Sequence, residues 1–214
     1  DSQSAVQFAN FLNQPNALIL ENSELLPYDF FSMAPITRAR RISTLSAFLK
    51  EKEITLISSI ATLLSPVPKP IHISPLTNLS VGDPFDPESV INEIILNGYT
   101  REDFVSLPGH YALRGSVMDI FLTSGTEPIR IEFFNNQIES LRIFNPESQI
   151  THEKINHINF LPSYEYPLNR NSAEIFKKEW RKRFELFEED SELFRRIMNL
   201  RHPEGCLLYT SPSP

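Results

Sequence analysis

The sequence predicts an α/β chain, a partial parallel-sheet domain with an inserted small α+β domain of antiparallel strands. Three observations predict it. Before Pro75, short apolar runs alternate with segments of helical periodicity, the pattern of a parallel sheet and its crossovers. After it, one well-capped helix is followed by alternating strands around an Asn135-Asn136 turn. Between the two, Pro66, Pro68, Pro70 and Pro75 punctuate the chain as a domain exit.

Taken in order, Gln3–Leu12 has helical apolar spacing, Ala17–Leu20 is a short buried strand, and Ile36–Leu49 is a helix with Arg38, Arg40 and Arg41 near its start. Ile54–Ile60 is a second apolar strand, followed by Ala61–Leu64. This is a partial N-terminal α/β domain over 1–75. A second domain, 76–162, opens on a helix with Asp86 as N-cap, Pro87 at its first position, an apolar stripe of Val90, Ile91, Ile94 and Ile95, and Gly98 as C-terminal cap. Its strands are Gly109–Phe121, Pro128–Phe134 and Gln137–Phe144. Residues 163–205 begin a following domain, with a helix capped by Ser172 and carrying Ile175, Phe176, Trp180, Phe184 and Phe187 at helical spacing. Lys177, Lys178, Arg181, Lys182 and Arg183 cover much of that helix's remaining surface, a pattern of a solvated face first and of a basic nucleic-acid contact as the alternative. The acidic Glu185, Glu188, Glu189 and Asp190 follow at once. Residues 206–214, Cys-Leu-Leu-Tyr-Thr-Ser-Pro-Ser-Pro, read as a non-native tail.

Composition narrows the function classes. Hydrophobic residues at 41% and charged residues at 22% are an ordinary globular mix, with Phe high at 16. A net charge of -7 argues against a free-standing non-specific nucleic-acid binder, whose affinity rests on neutralising phosphates. No apolar run approaches the roughly 20 residues that span a bilayer, so no membrane contact is expected. The single cysteine, Cys206, fits a reducing cytoplasm. The start, Asp1-Ser2-Gln3, has no initiator Met and suggests an internal piece of a longer protein.

Catalytic chemistry needs a constellation, and none is present. There is no phosphate-cradling Gly-x-x-x-x-Gly-Lys loop, no Cys-x-x-Cys and no His-Glu-x-x-His. His72, His110, His152, His157 and His202 share no metal-ligand spacing, and no metal is expected. Asp119, in the apolar run Val117–Phe121, reads as a structural hydrogen-bonding carboxylate. Glu132 and Glu139 are expected to face each other on the hairpin, but without any signal of a pocket around them.

The hairpin 128–144 sorts by strand alternation. Ile129, Ile131, Phe133 and Ile138 form a core face. Arg130, Glu132 and Phe134 point the other way, joined across the turn by Gln137, Glu139 and Leu141. An outward Phe beside an outward Arg is the residue pair that interfaces favour. Periodicity leaves open whether that pair docks a partner, stacks on itself or is covered by a neighbouring domain.

The strings Tyr111-Ala-Leu-Arg-Gly-Ser-Val-Met-Asp-Ile-Phe121, Pro128-Ile-Arg-Ile-Glu-Phe-Phe134, Ile138-Glu-Ser-Leu-Arg142 and Phe144-Asn-Pro-Glu-Ser-Gln149 resemble the signature shared by the bacterial excinuclease component UvrB and the transcription-repair coupling factors. Leu26-Pro-Tyr-Asp-Phe-Phe-Ser32, Arg41-Ile-Ser-Thr-Leu45 and Phe160-Leu-Pro162 extend the resemblance, which covers roughly residues 5 to 200. UvrB carries a long aromatic DNA-holding hairpin between the Tyr-Asp element and the Arg-bearing helix. Here the interval from Tyr28 to Arg41 is too short for one. This favours the coupling-factor family over the alternative, a fragment of a UvrB-type DNA-loading ATPase.

The resemblance implies that 1–75 belongs to a degenerate helicase-like domain (1A-like) that has lost its ATP site. It makes 76–162 the domain that binds the excinuclease component UvrA, and 163–205 the start of a 1B-like domain. It implies partner-binding residues at Arg114, Arg130 and Phe134, all matching in type, and no catalytic residue. It implies no cofactor in this fragment, with ATP used by a motor domain elsewhere in an ATP-dependent DNA translocase. RNA polymerase and double-stranded DNA would be engaged by domains further along. In such proteins another domain masks the docking surface at rest.

Overall fold

The computed structural model describes residues 16–22, 33–51, 53–184 and 191–202. The expected helix at Gln3–Leu12, the Leu26–Ser32 landmark, Phe187 and the tail from Cys206 lie outside them. The fold is α/β, with a parallel strand pair, a small antiparallel pair and a six-stranded sheet.

Strands β1 (Ala17–Leu20) and β2 (Thr55–Ser58) pair in parallel, Ala17 opposite Thr55, as alternation with an intervening helix requires. That helix, α1 (Pro35–Lys50), has Pro at its first position and buries Ala39, Arg41, Ile42, Leu45 and Ser46. A short turn of helix, α2 (Ile60–Leu63), is capped by Ser59, whose hydroxyl accepts from the Thr62 amide.

Strand β3 (Asn78–Ser80) carries the chain into the middle region, and β10 (His157–Asn159) carries it out. The two pair antiparallel, Ile158 opposite Leu79, and Leu76 and Phe160 extend the ladder by Leu76 N–H to Phe160 O and Phe160 N–H to Thr77 O. Incoming and outgoing chain therefore lie side by side, which is how an insertion leaves its host undisturbed. Between them, helix α3 (Pro87–Leu96) starts where Asp86 accepts from the amides of Glu88 and Ser89. Val90, Ile91 and Ile94 pack inward. Ile95 corrects the expected stripe, being 42% exposed, because the sheet covers a narrower arc of the helix than four positions.

The sheet orders β4 (Thr100–Arg101), β5 (His110–Arg114), β6 (Val117–Ile120), β7 (Ile129–Phe134), β8 (Gln137–Phe144) and β9 (Thr151–Ile155) as neighbours, antiparallel except β4 with β5. The expected single strand 109–121 is a hairpin. Gly115, at φ +60°, supplies a backbone conformation that side chains disfavour, and the chain reverses there. The Asn135-Asn136 turn has φ 48° and 56°, the left-handed pair that a two-residue hairpin needs.

One face of this sheet is the core. Tyr111, Met118, Ile120, Ile129, Ile131, Ile138 and Leu141 meet Ile94, Phe85, Tyr99, Leu79, Ile158 and Phe160. Phe133 packs on the same cluster, its ring 4.9 Å from Phe85. Leu141, expected outward, is instead 1% exposed and pairs with Ile131. A register shift between Glu132 and Phe133 explains it: Glu132 pairs with Ser140 and Phe133 with Ile138, so Glu139 is the extra residue of a bulge. The bulge flips the parity of everything after it on β8. For the same reason Glu132 and Glu139 do not face each other.

The strap after β10 locks the three regions together. Gly98, at φ +90°, lies under the Tyr164 ring, which an added Cβ would meet at 2.1 Å. Tyr99 O–H donates to Leu161 O at 2.8 Å, and burial pushes its phenol up to about 12. Arg41, almost wholly buried, reaches both oxygens of Glu165 at 2.6 and 3.2 Å and also donates to Glu21 O. His202 stacks on Tyr164 at 4.0 Å, and the Arg38 guanidinium also lies over that ring. Helix α4 (Arg170–Arg183) is capped by Asn169 rather than Ser172. Ser172 sits at the third position and returns a hydrogen bond to Asn169, the reciprocal capping box. Trp180 and Phe176 meet Phe194 of α5 (Glu192–Met198), while Ile175 is 57% exposed.

Two outcomes test these assignments. Ile131→Ala is expected to cost about 3 kcal/mol in urea unfolding, against about 0.5 kcal/mol or less for the outward Phe134→Ala. Burial holds the His202 imidazole down at about 4, below its ordinary value. The unfolded chain therefore binds the extra proton first. Stability from this group is full above the ordinary histidine range and is lost as pH falls toward 4. Thermal unfolding at pH 7 and pH 5 should show the drop, and His202→Gln should reduce it.

Candidate functional site

The face of the sheet opposite the core carries polar groups in register. One cross-strand row runs Ala112, Asp119, Arg130, Arg142 and Lys154, and the next runs Arg114, Val117, Glu132 and Ser140. Phe134 stands beyond them at the hairpin tip, paired with Gln137 and 62% exposed. Gln137 is itself tied down, its side-chain amide donating to Gly82 O at 2.7 Å.

Asp119 organises the face. A carboxylate only 2% exposed must be answered by donors. Arg130 answers it with both prongs, Nε to Oδ1 at 2.7 Å and Nη2 to Oδ2 at 2.9 Å. Those hydrogen bonds hold the Arg130 guanidinium above its ordinary pKa, so it is charged at any working pH. Its Cζ lies 5.0 Å from the centre of the Phe144 ring. Phe144, Val105, Ala112 and Phe121 form a small second core on this side of the sheet, and Arg130 lies against its edge.

Arg114 is freer. Half of its side chain is exposed, and one terminal nitrogen is 4.0 Å from Asp119 Oδ2. Another donates to the Asp103 carbonyl, and the guanidinium lies 5.7 Å over the Phe104 ring. Glu132 accepts from the Ser140 hydroxyl at 2.5 Å and forms an ion pair with Arg142 at 3.5 Å. The structure thus brings Arg114 and Arg130 to one carboxylate, with Phe134 on the same face.

Arg142 is hidden from a linear reading by the bulge, since simple alternation from Ile138 turns it inward. It lies directly opposite Arg130, and its Nε is buried without a hydrogen-bond partner among the described residues. Like charges facing each other across a sheet are unfavourable unless an anion joins them. Across the two rows, four cations face the carboxylates of Asp119 and Glu132. The face can therefore hold acidic groups and an apolar contact. No group of His, Cys, Asp or Glu arranged to hold a metal ion occurs among the described residues, nor any helix long and apolar enough to cross a membrane.

Residues 77–166 match the family described as the UvrB interaction domain. The middle of the chain is a domain of this class, presenting a preorganised sheet face. The whole chain is similar to the transcription-repair-coupling factor of Escherichia coli, 29% identical over 223 residues, covering all of this chain and 19% of that protein. The corresponding factor of Haemophilus influenzae is 28% identical over 90% of this chain and 17% of its own length. That of Staphylococcus aureus strain MRSA252 is 30% identical over 76% of this chain and 14% of its own. The chain spans less than a fifth of the length of these relatives.

The ion pair at the centre of the face yields a stability test. Asp119→Ala and Arg130→Ala are each expected to cost about 3 kcal/mol in urea unfolding, because each strands a charge made for the other. The double variant should fall well short of their sum. Additive losses would mean that the two groups are not coupled.

Proposed function

We propose that the outward face of the six-stranded sheet docks the excinuclease component UvrA through Arg114, Arg130 and Phe134. On this reading the chain is the N-terminal recruiting module of a bacterial transcription-repair coupling factor, bringing nucleotide excision repair to stalled RNA polymerase. The observation that carries the reading is the pairing of Arg130 and Arg114 around the buried Asp119, with an exposed Phe134 beside them. Donors held in place before the partner arrives lose little conformational freedom on binding, and aromatic and Arg side chains are the usual anchors of such interfaces. The positive rows fit a partner that presents carboxylates.

The full-length protein, on the same reading, works in the cytoplasm. Its contacts with RNA polymerase and double-stranded DNA, and its use of ATP, reside in parts of the protein outside this chain. This fragment contributes docking and no catalysis. The name of the matched family and those of the relatives support the reading.

The geometry selects the cleaner probe. Arg130→Glu would place a second carboxylate against Asp119 and unsettle the fold, whereas Arg114 is half exposed and only at the limit of ion-pair distance. Arg114→Glu in the 214-residue chain should weaken binding to purified UvrA by about 2 kcal/mol or more, with Phe134→Ala moving the same way. Calorimetric or surface-binding titration reads both. Unchanged dissociation constants in folded variants would refute the docking surface.

A further inference from the structure

We infer that Phe104 is a second apolar anchor of this docking face, received by an apolar recess flanked by carboxylates on the same partner; the inference rests on the docking reading above. Phe104 is 68% exposed and Phe134 62%, while Phe48, the next, is 46%. The two most exposed Phe, Tyr or Trp side chains among the described residues thus both border the Arg114–Arg130 surface. An isolated exposed ring is ordinary, but two at the margins of one charged face form the aromatic-and-Arg composition of an interface core.

Phe104 is held out by its surroundings. Its neighbour Val105 is fully buried in the small outer core with Ala112, Phe121 and Phe144. The Gln149 side-chain amide donates to Val105 O at 3.4 Å, and Glu102 N–H donates to Tyr111 O at 2.9 Å, so the backbone is tied on both sides of Phe104. Val105 does the covering, and Phe104, more than two-thirds in water, covers little of the fold.

Its one described ring contact is Arg114, which lies over it at 5.7 Å and also donates to the backbone of the adjacent Asp103. A single connected run therefore leads from Phe104 through Arg114 and Asp119 to Arg130. A partner that buries the ring also displaces water from around Arg114. That strengthens the pairing of Arg114 with an acceptor beside the recess. Phe104 and Arg114 then act as one unit, which predicts non-additive binding losses.

The test uses the 214-residue chain and purified UvrA. Phe104→Ala is expected to weaken binding at least about tenfold with an unchanged unfolding midpoint, and Phe104→Trp to stay within about threefold. The double variant Phe104→Ala/Arg114→Ala should lose less than the product of the single losses. Hydrogen exchange over 102–107 should slow in the complex, a readout free of substitution. Phe104→Ala binding within about twofold of the parent, while Arg114→Glu and Phe134→Ala lose binding, would overturn the anchor and leave the docking surface standing. Exchange over 102–107 unchanged on complex formation, or a lowered midpoint for Phe104→Ala, would also overturn it. A parent chain that does not bind would remove the docking reading and this inference together.

Discussion

A carboxylate placed on the outward side of a sheet and then buried cannot stay unpaired, and Asp119 is in that position. Its two oxygens take both prongs of Arg130, and it draws Arg114 to the edge of ion-pair distance. The pair also explains why the second small core can exist on a face expected to be solvated. Phe144 is completely buried there, and the Arg130 guanidinium lies over its ring while its prongs hold Asp119. The placement of the two arginines of the candidate site follows from that one buried group.

The bulge at Glu139 is the second constraint. Without it, β8 would place Leu141 in water and Arg142 in the core, an arrangement that exposes one apolar residue and buries one cation. With it, Leu141 joins Ile131 in the core and Arg142 comes to face Arg130. The two facing cations are offset by the carboxylates beside them, Arg130 by Asp119 and Arg142 by Glu132.

The connection to the rest of the chain is held at several points. Paired incoming and outgoing strands, the Gly98–Tyr164 contact and the Arg41–Glu165 pair join the sheet domain to the helices on either side. The outward face of the sheet is thereby carried on a region tied to the chain on both sides of it.

Much of this was legible in the residues alone. Alternation placed Ile129, Ile131 and Phe133 on one face and Arg130, Glu132 and Phe134 on the other. The Asn-Asn turn and the Asp86 cap follow from local backbone preferences. Those features depend on neighbours a few residues away, so a linear reading can reach them. The resemblance, not the periodicity, singled out Arg114. Hidden from any linear reading were the bulge, the break of 109–121 into two strands, the choice of Asn169 over Ser172 as cap, and the partners of Asp119. Each of these turns on a pairing register or a contact between distant segments, decided by how whole strands bury their apolar sides together. Phe104 belongs with them. Nothing in its local sequence distinguishes it, and its place beside Arg114 exists only because the β4–β5 loop folds back over the outer core.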